Sequence, residues 1–283
     1  MSRKKKFFAL LVCVMLVFCS GVTLWTLWAD NAIKETYYTV ESSRLPTAFG
    51  GFRIAHVSDL HNDTMQDGND SLILKLKEAQ PDLIAVTGDL IDCRVPDTEI
   101  ALSFMERALQ IAPVYYVTGN HEIALYDIYP AFEKRLQEMG VTVLNNEAVT
   151  LTANGQTITL LGLSDPNTET LDSNGRIELM QFCAKAQFTV VLSHRPEIFE
   201  EYTAAGVDLV LTGHAHGGQV RLPYVGGLYA PGQGLLPVYD AGVFADGNTL
   251  MYVSRGIGNS LFPIRFNNRP ELPVITLQTA SVG

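Results

Sequence analysis

Five short segments concentrate the side-chain types that bind metal ions in proteins. They contain Asp59 and His61, Asp89 and Asp92, Asn120 and His121, His194, and His214 and His216. Five of the six histidines in the chain lie in these segments. Carboxylate, imidazole and amide ligands together suit Mn, Fe or Zn, and do not suit Ca. Two such ions about 3.5–4 Å apart can lower the pKa of a bridging water and clamp both oxygens of an in-line displacement at phosphorus. The pattern therefore predicts two divalent metal ions (Mn, Fe or Zn) and hydrolytic chemistry.

Each segment directly follows a stretch whose apolar pattern predicts a buried β-strand. These strands are Arg53–Ser58, Asp82–Thr87, Val114–Thr118, Phe188–Leu192 and Val207–Thr212. The first three alternate with helices, which predicts parallel strands joined by right-handed crossovers. In an open parallel sheet the ligand site lies beyond the carboxyl ends of the strands, so we expect the five segments to converge. Gly88, Gly119 and Gly213 precede ligand residues and are expected to let the chain turn sharply there.

The other predicted elements complete one α/β domain. One helix after the first strand places Leu72, Ile73, Leu76 and Ala79 on a single face. Asn154-Gly155 predicts a tight hairpin turn. Further helices are expected at Thr98–Ile111, Pro130–Met139 and Arg176–Ala186, and further strands at Val141–Leu144, Thr157–Leu163, Thr249–Val253 and Pro273–Leu277. No linker divides residues 52–283, so we interpret them as a single domain.

The first 29 residues are interpreted as a membrane anchor. An uncharged run from Phe7 to Ala29 follows Arg3 and three lysines, and as a helix it would be about 34 Å long, enough for a hydrocarbon core of about 30 Å. Trp25 and Trp28 suit a membrane interface. The alternative is a cleaved secretory signal, although no small-residue cleavage site follows the run. The basic cluster is expected to stay in the cytoplasm, which predicts a single-pass protein of the cell membrane with its domain on the extracytoplasmic side. Residues 30–51 are predicted to form a polar tether with an added edge strand near Tyr37–Val40.

Composition excludes several classes of protein. The chain of 283 residues is 47% hydrophobic, which is too apolar for a disordered protein. Four cysteines are too few for a disulfide scaffold, and Cys93 and Cys183 are expected to be unpaired. Residues 30–283 carry 16 basic against 30 acidic side chains, a net charge of −14. We expect no nucleic-acid partner, because neutralisation of phosphates supplies most of that affinity.

The five segments, in this order, resemble the calcineurin-like metallophosphoesterases. The matching motifs are DxH at 59–61, GDxxD at 88–92, GNHE at 119–122, His194, and GHxH at 213–216. The longer stretches SDLH, TGDLID, SHRPE, GHAHGGQVRLP and YVSRGIGNS resemble the membrane-anchored bacterial branch, which is similar to cell-wall phosphoesterases and UDP-2,3-diacylglucosamine pyrophosphohydrolase-like enzymes. The resemblance covers about residues 36–279. It implies a four-layer α/β/β/α sandwich that hydrolyses a phosphoester or pyrophosphate bond by a hydroxide bridging the two metal ions.

The resemblance also implies a role for each motif residue. Asp59, His61 and His216 would bind the first metal ion, and Asn120, His194 and His214 the second, with Asp89 bridging both. His121 would act beside the phosphoryl group as a proton donor or a stabiliser of charge, with Asp92 fixing its tautomer. Membrane anchoring and the acidic domain favour a phosphorylated small-molecule or lipid-linked substrate at the envelope. The alternatives are a phosphodiesterase or phosphatase of small soluble phosphates, and a non-catalytic metal-binding module.

Several residues near the motifs have simpler interpretations. His56 is predicted to be a hydrogen-bonded core residue. Glu122 is open between a loop hydrogen bond, an exposed position and a functional role. Turn, salt-bridge or loop-packing roles are expected for Asp63, Asp165, Arg195, Arg255, Gly217, Gly218, Gln219, Tyr224, Tyr229 and Tyr239.

Overall fold

Two six-stranded sheets and the helices outside them make up the body of the protein. The computed structural model describes residues 2–259, 262 and 264–280; Ser260, which ends the YVSRGIGNS stretch, and the predicted domain end at 281–283 lie outside them. The helices are α1 (Arg3–Ala29), α2 (Asp70–Ala79), α3 (Glu99–Leu109), α4 (Asn120–Ala124), α5 (Tyr129–Met139), α6 (Ser173–Ala186) and α7 (Phe199–Ala205). The strands are β1 (Lys34–Ser42), β2 (Arg53–Val57), β3 (Leu83–Thr87), β4 (Val114–Val117), β5 (Thr142–Val143), β6 (Glu147–Ala153), β7 (Gln156–Gly162), β8 (Thr189–Leu192), β9 (Leu209–Thr212), β10 (Arg221–Leu222), β11 (Gly226–Gly227), β12 (Tyr229–Ala230), β13 (Gly234–Leu235), β14 (Gly242–Asp246), β15 (Thr249–Val253) and β16 (Glu271–Thr279).

Each sheet has a parallel centre and an antiparallel margin. The first sheet has the order β1-β16-β2-β3-β4-β5, in which β2 to β5 are parallel and β16 runs antiparallel to β2. The second sheet has the order β14-β15-β9-β8-β7-β6, in which the four central strands are parallel and both edge strands are antiparallel. The strands that precede the five ligand segments are therefore parallel neighbours in one sheet or the other, as predicted.

Three apolar clusters show how the layers pack. One cluster lies between the sheets and includes Ile54 and Leu83 from the first sheet and Leu160 and Leu211 from the second. Another joins the first sheet to helices α2, α3 and α5, and a third joins the second sheet to α6 and α7. The order of layers is α/β/β/α, which confirms the predicted four-layer sandwich.

The local patterns produced the expected elements. The buried residues of α2 are Leu72, Ile73, Leu76 and Ala79. Asn154 and Gly155, at φ 47° and 77°, form the turn between the antiparallel strands β6 and β7. Two successive residues with positive φ match the twist of a hairpin, and Asn and Gly adopt that conformation most readily.

Much of the predicted tether belongs to the domain. Strand β1 pairs in parallel with β16 along its whole length and forms the edge of the first sheet. Val40, Leu45 and Phe49 are buried in the cluster between the sheets. The description of residues 30–51 as a polar tether is therefore too loose, because their apolar side chains cover the end of this core.

One described helix is long and apolar enough to cross a membrane. Helix α1 has a mean hydropathy of 2.6 in its most apolar window, and the side chains of that window are exposed. Such a helix at the amino terminus is compatible with an anchor and with a signal sequence. Outside it, Cys93 and Cys183 are free thiols, as expected.

Candidate metal centre

The predicted ligands converge at the carboxyl ends of β2, β3, β4, β8 and β9. Asp59, His61 and His216 form one group in which a ligand atom of each residue lies within 4.8 Å of the others. The Nε2 atoms of His61 and His216 are 3.1 Å apart. Oδ1 of Asp59 lies 3.5 Å from Nε2 of His216 and 3.9 Å from Nε2 of His61. All three side chains are buried, so the group could surround one ion.

A second group contains Asp89, His194 and His214. Nε2 of His194 lies 3.2 Å from Oδ2 of Asp89, 3.1 Å from Nδ1 of His214 and 3.2 Å from Oδ1 of Asn120. Nδ1 of His194 is 2.7 Å from the carbonyl oxygen of Thr87 and can donate to it. That hydrogen bond leaves Nε2 facing the group, where it can bind a metal ion once its proton is displaced.

Asp89 lies between the two groups. Its Oδ2 is 3.2 Å from Nε2 of His194 in one group and 3.6 Å from Nε2 of His61 in the other. Its Oδ1 accepts a hydrogen bond from the backbone N–H of His121 at 2.8 Å. This position allows one carboxylate to contact an ion in each group.

The protonation states of the centre fit cations. Burial lowers the pKa of His61 to about 3 and holds the pKa values of His214 and His216 well below the ordinary value. These rings are therefore neutral, with lone pairs available to a metal ion. Burial acts to raise the pKa of Asp89, but His194 and His61 lower it well below the usual range. Neutral imidazoles around an ionised carboxylate form a donor set that suits divalent transition metals.

The backbone of the centre is held in a conformation that is uncommon for residues with side chains. Five predicted ligands have positive φ: Asp59, His61, Asp89, His214 and His216, between 47° and 66°. Such conformations cost about 1–3 kcal/mol each and persist where the surrounding structure enforces them. Hydrogen bonds from the N–H groups of Asp59 and His61 to the carbonyl oxygens of Gly88 and Asp89 link the first two loops.

The three glycines that precede ligand residues serve two different purposes. Gly88 has φ 85°, the sharp turn that we expected. Gly119, at φ −107°, lies in an ordinary region, and its Cβ would stand 2.2 Å from Oδ1 of Asp89. A Cβ on Gly213 would stand 1.8 Å from Oγ of Ser58. At the last two positions close packing requires glycine, which corrects the expectation of a turn.

Glu122 is fully buried and connects two of the ligand loops. Its carboxylate accepts hydrogen bonds at 2.7–3.2 Å from the backbone N–H groups of Asp89, Leu90, Ile91 and Gly119. Burial raises its pKa to about 7, while these donors act in the opposite direction. Of the roles considered from the sequence, the loop hydrogen bond is present and the exposed position is wrong.

His121 lies at the edge of the centre, between the two groups. Its Nε2 is 3.9 Å from Oδ2 of Asp89, and its ring stands edge-on to that of His61. Its Nδ1 accepts a hydrogen bond from the backbone N–H of Cys93 at 3.0 Å. Because Nδ1 is an acceptor, the neutral ring carries its proton on Nε2, the atom that faces the centre.

Asp92 lies beside His121 and is also bound by Arg94. Its Oδ1 lies 3.5 Å from Nδ1 of His121, but this carboxylate is the hydrogen-bond partner of the Arg94 side chain. The tautomer of the neutral His121 ring is set by the Cys93 backbone, which approaches Nδ1 more closely. Asp92 can still stabilise a positive charge on His121 through its proximity.

Two arginine side chains lie beside the rings of predicted histidine ligands. Arg195 forms the expected salt bridge with the buried Asp165 at 2.6 Å, and its Nη1 lies 2.9 Å from Nε2 of His214. Arg265 is almost completely buried and lies 3.4 Å from Nδ1 of His216. Arg265 was not predicted from the sequence, because it occupies an irregular loop about 50 residues after the ligand that it contacts and belongs to none of the motifs.

The remaining residues singled out from the sequence have ordinary structural roles. His56 is buried, and its Nε2 is hydrogen-bonded to Oγ1 of Thr87 at 2.8 Å. Asp63 accepts a hydrogen bond from the backbone N–H of Met65 in a turn. Tyr239 packs between Phe199 and Phe244. Tyr224 and Tyr229 are exposed. The other four are Gly217 and Gly218, which turn with positive φ, Gln219, whose side chain donates to the carbonyl oxygen of Phe262, and Arg255, whose backbone N–H donates to Oε2 of Glu271 at 3.3 Å.

Comparison with known proteins agrees with this geometry. The calcineurin-like phosphoesterase family model matches residues 52–218. The chain is 32% identical over 259 residues to the uncharacterized metallophosphoesterase YkuE of Bacillus subtilis, covering 89% of this chain and 87% of YkuE. It is 30% identical over 234 residues to phosphodiesterase YaeI of Escherichia coli, covering 80% and 82% of the two chains.

Two further comparisons concern the membrane and the fold. A Bos taurus protein described as a transmembrane protein with metallophosphoesterase domain is 28% identical over 260 residues, covering 87% of this chain and 57% of its own. The solved structure of the sulfate thiohydrolase SoxB from Thermus thermophilus superposes with a TM-score of 0.52 at 13% identity, covering 83% of this chain and 57% of SoxB. That likeness shows a shared fold. The chain belongs to the calcineurin-like phosphoesterase family and is a metal-dependent hydrolase of phosphoric esters.

Proposed function

We propose that this protein is a membrane-anchored, dinuclear phosphoesterase that cleaves a phosphoester or pyrophosphate bond in an envelope-associated or lipid-linked substrate. The position of Asp89 is the observation that supports a centre with two metal ions. Its Oδ2 lies within 3.6 Å of a histidine Nε2 in each ligand group. A carboxylate between two such groups is the arrangement needed to hold two ions close together.

Each ligand group would hold one ion. Asp59, His61 and His216 supply three ligands to the first, and Asn120, His194 and His214 supply three to the second, with Asp89 shared. When bound, the two ions supply positive charge at the phosphoryl oxygens and make water a nucleophile near neutral pH. Attack by water needs no nucleophilic side chain, in keeping with a centre built from metal-ligand residues.

His121 would supply the proton for the leaving group. The hydrogen bond from Cys93 to Nδ1 supports a tautomer with its proton on Nε2, and Nε2 faces the space beside Asp89. A proton held there can pass to the oxygen that leaves phosphorus. Asp92, 3.5 Å from Nδ1, would stabilise the ring if it becomes positively charged.

The substrate proposal rests on α1 and on charge. Helix α1 would span the membrane once with Arg3 and the three lysines in the cytoplasm, which puts the domain on the extracytoplasmic side. The net charge of −14 on residues 30–283 disfavours nucleic acid. It does not exclude phosphorylated substrates, because the bound ions would dominate the local field.

The test uses the full chain reconstituted in phosphatidylcholine vesicles and loaded with Mn. Turnover is measured on soluble bis-p-nitrophenyl phosphate and on a lipid-linked diphosphate held in the same bilayer. We expect hydrolysis of both, with His121→Ala lowering kcat on the soluble diester by about 10²–10⁴-fold at unchanged metal content.

Each contrary result has a defined meaning. Turnover of soluble esters without turnover of lipid diphosphates would replace the substrate proposal with a phosphodiesterase of small phosphates. Unchanged turnover in His121→Ala would remove its assigned role. Metal binding without hydrolysis of any phosphate ester would favour a non-catalytic metal-binding module.

A further inference from the structure

An exposed apolar surface lies between the metal centre and the end of helix α1. We call it the apolar rim and define it by Tyr229, Leu235, Leu236, Phe262, Ile264 and Phe266, all of which are exposed. Tyr229 pairs with Leu235 across β12 and β13, and its ring centroid is 6.4 Å from that of Phe262. The backbone of Phe266 forms an isolated parallel β-bridge with the backbone of Val220. Isolated apolar residues on a surface are ordinary, but a continuous group marks a contact surface.

The apolar rim is tied to the metal centre. Gln219, three residues after His216, donates a hydrogen bond to the carbonyl oxygen of Phe262 at 2.8 Å. The N–H of Leu228 donates to the carbonyl oxygen of Gly218 at 3.1 Å. Arg265, between two rim residues, lies 3.4 Å from Nδ1 of His216. Whatever surface the rim contacts is therefore held close to the centre.

The apolar rim is also joined to helix α1. The ring centroids of Trp25 and Phe266 are 5.8 Å apart, and Oδ1 of Asp30 accepts from the backbone N–H of Arg265 at 2.8 Å. The guanidinium of Arg269 lies 5.2 Å from the centroid of the Trp28 ring. Phe18, Gly21, Val22, Trp25 and Phe266 line one cavity. Phe266 thus packs beside the helix rather than beyond its end.

These contacts give the depth of the apolar rim relative to a bilayer. Trp25 lies four residues before Ala29, the last residue of α1, or about 6 Å along the helix axis. Tryptophan near the end of a spanning helix lies at the level of the lipid headgroups. Phe266 contacts that tryptophan and lines a cavity with the preceding turns, so it reaches the boundary of the hydrocarbon when α1 spans the membrane.

We propose that the apolar rim inserts into the outer surface of the bilayer that holds α1, which places the metal centre at the level of lipid phosphates. The partner is the lipid surface itself. The charge of the domain favours binding by apolar insertion rather than by electrostatic attraction to lipid headgroups. Residues 30–283 carry a net charge of −14, and anionic lipids would repel them. This inference rests on the proposed membrane anchoring, and it narrows the substrate to phosphate groups that the bilayer presents.

The direct test measures the depth of spin labels in the full chain reconstituted in phosphatidylcholine vesicles. All four cysteines are first replaced by alanine, and the thermal unfolding midpoint of each variant shows that the fold is retained. Leu235→Cys carries the label in the rim, and Phe182→Cys in α6 is the matched control, since the two side chains are 80% and 78% exposed. Accessibility of each label to oxygen and to a water-soluble nickel chelate is then compared.

If the rim inserts into the bilayer, the Leu235→Cys label should be accessible to oxygen and inaccessible to the nickel chelate. The control label should be accessible to the chelate. A Leu235→Cys label that is open to the chelate would overturn the proposal. A Leu235→Cys label that is inaccessible to both oxygen and the chelate would also overturn the proposal. That result would mean that protein, such as a second copy of the chain, covers the rim. This experiment requires no catalysis, so failure of the proposed phosphoesterase activity would leave its result unaffected.

A second measurement links the apolar rim to turnover. The double variant Leu235→Glu/Leu236→Glu should lower turnover of a lipid-linked diphosphate in vesicles at least about tenfold, since two apolar side chains no longer hold the centre at the surface. Its turnover of soluble bis-p-nitrophenyl phosphate should be unchanged, and Phe182→Glu should affect neither substrate. Equal turnover of the lipid substrate by the double variant and the unmodified chain would contradict the proposal.

Discussion

At the scale of single residues, the carboxylate of Glu122 links the loops that carry Asp89 and Asn120. It accepts hydrogen bonds from four backbone N–H groups. Five predicted ligands adopt positive φ, so the loops around them need such support. The contribution of Glu122 is therefore to hold ligand loops in a conformation that they would otherwise leave.

Glu122→Gln should weaken both the fold and the metal site. The amide keeps one acceptor oxygen and turns an NH₂ group toward backbone donors, which leaves buried N–H groups without partners. We expect the free energy of unfolding to fall by about 2–3 kcal/mol and the affinity for metal to fall with it. Thermal unfolding and metal titration measure the two effects. Glu178→Gln, at an exposed position, is the control, and equal behaviour of the two variants would refute the assigned role of Glu122.

Metal binding should release protons from His194. Burial alone would lower the pKa of this ring, but the carboxylates of Asp89 and Asp59 raise it to about 10. Without metal, His194 is therefore protonated at neutral pH, and an ion can bind Nε2 only by displacing that proton. We expect release of about one proton at this group and an affinity that falls as pH falls.

Calorimetric titration in two buffers with different ionisation enthalpies measures this proton release. Observed heats that differ between the buffers at pH 7 are the expected result. Identical heats, with an affinity that does not change between about pH 6 and 8, would show that His194 is already neutral in the metal-free protein.

At the scale of elements, the parallel pair β1 and β16 closes the first sheet. The paired residues of the two strands are 237 positions apart in the sequence, and their register runs from Lys34–Glu271 to Ser42–Thr279. Val40 on β1 is buried between the sheets, whereas Tyr37 on the same strand is exposed. The strand is therefore part of the core as well as the edge of the sheet.

Val40→Asn should destabilise the protein, and Tyr37→Asn should not. A buried amide without a partner costs about 2–3 kcal/mol, and for a domain of this size each kcal/mol lowers Tm by about 2–4 °C. The exposed substitution on the same strand should change the free energy of unfolding by less than about 0.5 kcal/mol. Equal Tm values for the two variants would mean that β1 is a loosely attached tether.

These elements also show what the sequence can and cannot predict. The central strands, the α2 face and the Asn154-Gly155 hairpin follow local patterns, so the sequence placed them well. The extent of β1 did not follow, because a strand that pairs with a distant partner carries little local signal. The burial of Glu122 and Arg265, and the Cys93 hydrogen bond that sets the His121 tautomer, depend on contacts between loops that no spacing rule encodes.

At the scale of the whole molecule, helix α1, the apolar rim and the metal centre are joined by successive contacts. Helix α1 ends at Ala29, Asp30 contacts Arg265, and Arg265 lies beside His216. The two sheets meet in a shared core, so loops from both sheets face the same centre. Motif order in the sequence predicted which residues meet there. The contacts that join helix α1 to that centre emerged only from the three-dimensional structure.

The central claim, a dinuclear centre bridged by Asp89, is tested most directly by anomalous X-ray diffraction from crystals of the Mn-loaded protein at the manganese absorption edge. We expect two anomalous peaks about 3.5–4 Å apart, one beside Asp59, His61 and His216 and the other beside Asn120, His194 and His214, with Asp89 contacting both. A single peak, or two peaks that do not share Asp89, would contradict it.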